Sequence, residues 1–257
     1  MELSKSKTAI AGEAENQFYK MYKLLQKEVE QWQQERGSYW LEALPWGKKP
    51  PYLPLMDLPE AAIIEVWQRL NLIAEVQIPD AELRKLWKQF RDGQIVMNPE
   101  MISRLQMSIS GVAQLAGKKA KMRGVPALDR GYIASDDPTA SSICPVCGEA
   151  ATLAVLSQPH GHRTMYCTSC SFEWTVKRVG CLHCGSEDAK QQMYLKSEEF
   201  PGIEMAVCQV CGHYLKEIDS RMVSVQDYLW EEMRTLPLNF AAERWLAEQA
   251  KKNNQMH

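Results

Sequence analysis

Cys144-Pro-Val-Cys147-Gly148, Cys167-Thr-Ser-Cys170-Ser171, Cys181-Leu-His-Cys184-Gly185 and Cys208-Gln-Val-Cys211-Gly212 hold every cysteine of the chain. Eight cysteines in four C-x-x-C pairs, none of them within the first 143 residues, divide a 257-residue chain into a cysteine-free and a cysteine-built part. A C-x-x-C pair in a tight turn offers two sulfurs to one ion. Two such pairs complete a tetrahedral four-thiolate site with metal to sulfur distances of about 2.3 Å. Between Cys147 and Cys167 lie 19 residues, between Cys184 and Cys208 lie 23, and between Cys170 and Cys181 only 10. The spacing therefore predicts sequential sites, with Cys144, Cys147, Cys167 and Cys170 in one and Cys181, Cys184, Cys208 and Cys211 in the other. Cross-bracing, the first pair with the third and the second with the fourth, is left open by spacing alone. Such a site suits zinc and iron alike.

The residues around these pairs read as ribbons. Gly148, Gly185 and Gly212 follow the second cysteine of their pairs, where a left-handed residue turns backbone N–H groups toward the thiolates; Ser171 departs from that rule. Residues 151–156, 172–176, 192–195 and 205–207 alternate in strand fashion. Each half is expected to be a small ribbon burying little apolar surface, so that the ion supplies much of its folding energy. Disulfides are disfavoured because no secretory h-region opens the chain and cytosolic thiols stay reduced. A dithiol redox motif ordinarily sits alone beside a βαβ pattern. His183 and His213 lie beside the third and fourth pairs and are expected as partly exposed neighbours of the sulfurs rather than ligands; His160 and His162 flank Gly161 at an expected hairpin tip.

The first part reads as helix. Phe18, Tyr22, Leu25, Val29 and Trp32 share a face of a helix over 13–36 that Gly37 is expected to end. The proline-rich stretch 40–58 predicts an irregular crossing, and Asp57 with Glu60 predicts a capping box for a helix over 58–76. Pro79 and Asp80 open a third helix, stopped by Gly93, and Asn98-Pro99 cap a fourth that ends near Gly117. The basic run Lys118, Lys119, Lys121 and Arg123 is read as solvated charge at a helix end. At the other end of the chain Leu229, Met233, Leu236 and Phe240 share a face of a last helix that Pro237 should kink or interrupt. The predicted class is α+β: an all-α helical bundle at 1–123, a linker at 124–142, four-cysteine ribbons at 143–178 and 179–218, and a helical segment at 219–257 packing back on the bundle.

Composition narrows the function. Hydrophobic residues at 45% and charged residues at 24% support an ordinary core, and no apolar run approaches the roughly 20 residues that cross a bilayer. No membrane association and a cytoplasmic location are expected. A formal net charge of −2 provides no global field for phosphates, and within 141–220 six bases face nine acids. That disfavours a nucleic-acid-binding zinc ribbon. No G-x-x-x-x-G-K-[ST], G-x-G-x-x-G, H-E-x-x-H or G-x-S-x-G is present, and eight sulfurs fill two closed sites, so no catalytic residue is expected.

The order of a helical segment, CPVCG at Cys144, MYCTSCSFEW around Cys167, CLHCGS at Cys181, CQVCGHYLK at Cys208 and a terminal MRTLPLNFAAE resembles the formate dehydrogenase accessory protein family, FdhE. The likeness is specific from about Cys144 to Glu243 and architectural before it; Ser171 and Pro237 depart from its pattern. The resemblance implies two rubredoxin-like modules behind a helical domain, with the eight cysteines binding iron. It also implies a cytosolic maturation factor that is no subunit of the finished enzyme. Such a factor acts on the catalytic subunit of formate dehydrogenase, which carries molybdenum or tungsten, during assembly. A rubredoxin-like electron-transfer role is the alternative that four-thiolate iron chemistry permits. Homodimerisation is left open.

Overall fold

The structure, a computed structural model, describes residues 2–94, 96–125 and 141–254. Most of the expected linker at 124–142 lies outside the described residues. The chain forms two compact units, Met1–Trp46 with Leu55–Ala116, and Gly47–Pro54 with Gly117–His257.

The first unit is built from helices α1 (Glu2–Ala43), α2 (Glu60–Ile73), α3 (Asp80–Arg91) and most of α4 (Pro99–Met122). Its core holds Trp32, Ile63, Ile64, Trp67, Leu70, Leu83, Trp87, Leu105 and Val112, the faces that the 3.6-residue period marks. Phe18 is the exception, 77% exposed. Gly37 does not end α1. It is buried within a helix that runs on to Ala43, and a Cβ there would meet Leu115 Cδ2 at 3.4 Å, an ordinary contact. The expected capping box is also absent: Asp57 closes a short 3-10 turn (Leu55–Asp57), and Pro59 stands at the α2 N-terminus with no side-chain cap. At α4 the Met101 N–H does donate to Asn98 Oδ1 at 2.8 Å. Lys119, in the last turn of α4, is buried and not solvated.

Glu65 gathers this unit. It accepts from Trp32 Nε1 and Trp40 Nε1, each at 3.0 Å, and from Arg36. Burial pushes its carboxyl up, but the hydrogen bonds from Arg36, Trp40 and Trp32 outweigh it and hold the group below the usual range. A depressed carboxylate contributes stability that is present above the unfolded pKa of about 4.3 and is lost as pH falls through the folded value. Glu65→Gln is therefore expected to lower the denaturant midpoint of the helical unit at pH 7 and to narrow that difference near pH 3. Equal differences at both pH values, followed by far-ultraviolet circular dichroism, would count against the assignment.

The second unit is one six-stranded sheet. Its strands are β1 (Leu153–Ser157), β2 (His162–Tyr166), β3 (Glu173–Thr175), β4 (Gln192–Lys196), β5 (Ile203–Cys208) and β6 (Tyr214–Asp219), in the order β3-β2-β1-β6-β5-β4. Neighbours are antiparallel except β1 and β6, which run parallel with Leu153 opposite Lys216 and Leu156 opposite Asp219. The two expected ribbons are thus halves of a single sheet, and each gains apolar cover from the other. Leu153, Ile203, Met205, Val207 and Ile218 form a core with Leu238 and Ala242, against which Trp245 and Leu246 pack.

The C-terminal helix packs on the sheet of its own unit through α6 (Leu236–Asn254). A preceding α5 (Tyr228–Arg234) ends at Thr235, and α6 starts afresh with Pro237 in its first turn, where a missing N–H costs nothing. The break shifts the buried stripe: Leu238 and Ala242 are buried, while Leu236 and Phe240 are exposed at 46% and 63%.

Candidate metal centres

Each C-x-x-C pair folds into the same loop. The N–H of the residue after the second cysteine donates to the carbonyl of the first: Gly148 to Cys144, Ser171 to Cys167, Gly185 to Cys181 and Gly212 to Cys208, at 2.8 to 3.1 Å. In return the first cysteine's N–H donates to the carbonyl five residues on, in Glu149, Phe172, Ser186 and His213, at 2.8 to 3.0 Å. The loop closes through a left-handed residue with φ of 80°, 56°, 75° and 71° in turn. Three of these are glycines, which adopt that conformation freely. Ser171 takes it too, and its Oγ accepts from Tyr166 Oη at 3.0 Å, so the residue departs from the pattern while the geometry does not.

The loops meet in two groups. Cys144, Cys147, Cys167 and Cys170 form one and Cys181, Cys184, Cys208 and Cys211 the other, with all four Sγ atoms of each group within 4.8 Å of one another. Sulfurs across the pairs lie 3.5 Å apart for Cys144 and Cys170, 3.4 Å for Cys147 and Cys167, and 3.7 Å for both Cys181 with Cys211 and Cys184 with Cys208. A disulfide needs about 2.05 Å. Four sulfurs at about 2.3 Å from a central ion would stand about 3.8 Å apart, so both groups fit a tetrahedral cation with little adjustment. The grouping is sequential, not cross-braced.

Electrostatics point the same way. Hydrogen bonds from Cys144, Cys147 and Cys170 hold the Cys167 thiol far below its ordinary range, while contact with Cys144 first, then Cys147 and Cys167, pushes Cys170 far above it, and contact with Cys144 and Cys167 does the same to Cys147. A cation bound among these sulfurs would displace the thiol protons that remain. In the second group burial raises Cys208, but the N–H groups of Cys211 and Val210 bring it down to about 7. The N–H groups of His183 and Cys184 likewise point at Cys181 Sγ, at 3.4 and 3.5 Å.

The surroundings of the two groups differ. The Cys144 loop is held by the segment 47–54, with Tyr52 N–H donating to the Pro145 carbonyl and Leu53 N–H to that of Val146. The Cys170 carbonyl rests against Gly117, where a Cβ would stand 2.2 Å from it. All four cysteines of this group are buried, whereas in the second Cys184 is half-buried and Cys211 exposed. His183 and His213 stack there, ring centroids 4.6 Å apart at 12°. His160 and His162 approach to 6.3 Å, and among the described residues no third metal-ligating group joins them.

Sequence reasoning missed a buried ion pair. Arg163 on β2 meets Glu217 on β6 at 2.6 Å, both almost fully enclosed, and Arg163 also donates to the Gly180 carbonyl at 3.1 Å, one residue before Cys181. Burial pushes the Glu217 carboxyl up, and Arg163 opposes that shift. A cavity of about 20 Å³, lined by Arg163, Cys181, Cys208 and His213 among others, has room for a single water. Lys216, fully buried beside Glu217 in sequence, pairs instead with Glu232 of α5 at 2.9 Å.

Residues 143–178 match the family model "FdhE, central domain". The chain is similar to curated FdhE homologues of Aquifex aeolicus, 32% identical over 81 residues, and Pseudomonas putida, 30% identical over 105 residues. A third relative, from Rhizobium meliloti, is 26% identical over 106 residues. The matched stretches cover 30%, 37% and 40% of this chain but only 29%, 32% and 35% of those relatives. The crystal structure of the FdhE protein from Pseudomonas aeruginosa superposes with a TM-score of 0.49 at 20% identity, covering 75% of this chain and 70% of that one.

Proposed function

We propose that this chain, whose residues 143–178 match the FdhE central domain, is an accessory protein of formate dehydrogenase that holds two metal ions and acts by binding the immature catalytic subunit. The observation that carries the metal half is the gathering of eight cysteines into two groups whose Sγ atoms each lie within 4.8 Å. Iron, which the resemblance implies, and zinc both suit four thiolates. A bound metal would supply rigidity and folding energy, and the chain's own loops, each fixed by two backbone hydrogen bonds, orient the sulfurs.

The role is non-catalytic in this proposal. Four protein ligands at each ion leave no position for substrate or activated water. A reducing, cytosolic setting suits centres built from thiolates. No helix among the described residues is long and apolar enough to cross a membrane. Deleting the gene in cells that make formate dehydrogenase is expected to lower formate oxidation without stopping synthesis of the catalytic subunit, and pull-downs should recover that subunit. Normal formate oxidation in a strain with no redundant factor would overturn the proposal. So would formate-dependent dye reduction by the purified protein itself, free of molybdenum and tungsten.

A further inference from the structure

We propose that the two centres divide their work: the Cys144, Cys147, Cys167 and Cys170 centre holds its ion permanently, and the Cys181, Cys184, Cys208 and Cys211 centre exchanges its ion with external thiolate or imidazole donors through Cys211. The inference rests on the reading of both groups as metal sites. At the first centre each loop is covered from outside itself. The segment 47–54 hydrogen-bonds one loop through Pro145 and Val146, and Gly117 presses on the other at the Cys170 carbonyl. An incoming donor would have to displace backbone that is itself packed.

At the second centre the Cys208 loop is held on one side only, by Gln209 N–H donating to the Gln191 carbonyl at 2.8 Å, and the rest of its tip is exposed. Val210 is 58% exposed, Gln209 and His183 are exposed, and Cys211 presents its side chain to solvent, with Cys184 half-buried beside it. The nearest heavy atom that a Cβ on Gly212 would meet is Leu246 Cδ2, at 3.9 Å, an ordinary contact with the end of a flexible side chain. The stacked His183 and His213 rings bridge the two loops, one ring lying between Cys181 and Cys184 and the other two residues after Cys211. The pair can hold the loops together while one sulfur is away. Exchange then proceeds by ligand substitution. With an ion bound, a bond from an external thiolate or imidazole would form as the bond from Cys211 Sγ breaks; further substitutions at Cys184, Cys208 and Cys181 would then carry the ion away, each released thiolate keeping its charge or taking the proton that the incoming donor gives up. No oxidation state changes.

The test uses the purified metal-loaded protein. Challenged with excess EDTA and desalted at intervals for elemental analysis, it should lose one equivalent at least about tenfold faster than the other, since access governs cysteine reactivity. Limiting iodoacetamide followed by peptide mass spectrometry should label Cys211 first. Cys211→Ser should speed the fast phase further and leave the slow phase unchanged. Two equivalents leaving at one rate, or first labelling within the Cys144 to Cys170 group, would overturn the division while leaving both metal sites standing. Protein purified without any metal would sink the metal reading and this proposal together. The labelling order in the native sequence decides the matter even if the variant does not fold.

Discussion

Replacing Cys144 and Cys147 together by Ser is expected to cost one full equivalent of metal and to unfold the sheet around the first centre, while the helices α1 to α3 keep their own core. The effect is large because binding energy at a structural four-ligand site is folding energy, on the order of 10 kcal/mol in small zinc modules. Elemental analysis reads the metal, and near-ultraviolet circular dichroism of Trp174, buried in this half, reads the packing. The second ion should remain bound but be held more weakly, since β1 supports β6 along four register pairs. Full metal content in the double variant would contradict the sequential grouping.

The second large effect is expected at Arg163. Truncation to Met leaves Glu217, 2% exposed, without its partner and removes a donor from the Gly180 carbonyl. Breaking a buried pair from one side costs about 3–5 kcal/mol, whereas replacing both members by apolar residues is often close to neutral. Arg163→Met should therefore be severely destabilised at pH 7, and Arg163→Met with Glu217→Leu should recover much of the loss. The pH dependence follows from the direction of the shift. With its folded pKa raised further above the unfolded value, Glu217 binds its proton more tightly in the folded state, so the single variant regains stability as pH falls. A single variant no less stable than the double, or one whose deficit is the same at pH 5 and pH 8, would show that the pair carries no such energy.

What the residues disclosed depended on how local the signal was. The four loops were legible because their hydrogen bonds close within six residues, and ligand spacing then selected the grouping that the sulfurs adopt. The helical cores of α2, α3 and α4 followed from periodicity. Strands β2 and β6 went unread because Arg163, Lys216 and Glu217 look like loop or surface residues until their partners, 54 residues apart for Arg163 and Glu217, are brought together. Gly37 reads as a stop because a glycine that ends a helix and one buried inside a longer helix look alike in one dimension. The sequence period that puts Leu229, Met233, Leu236 and Phe240 on one face breaks at Thr235, where α5 ends and the phase resets, so Leu238 and Ala242 form the buried stripe instead.

The parallel pairing of β1 with β6 also sets a schedule for synthesis. The Leu153–Ser157 strand leaves the ribosome well before Tyr214–Asp219 exists, and until then its Leu-Ala-Val-Leu edge has only β2 on one side. At ordinary elongation rates of about 5–20 residues per second the edge stays bare for seconds, long enough for pairing with another nascent chain. A ribosome stalled between the two halves would present an adhesive strand rather than a finished first module, so translation speed across 179–213 bears directly on the yield of soluble protein.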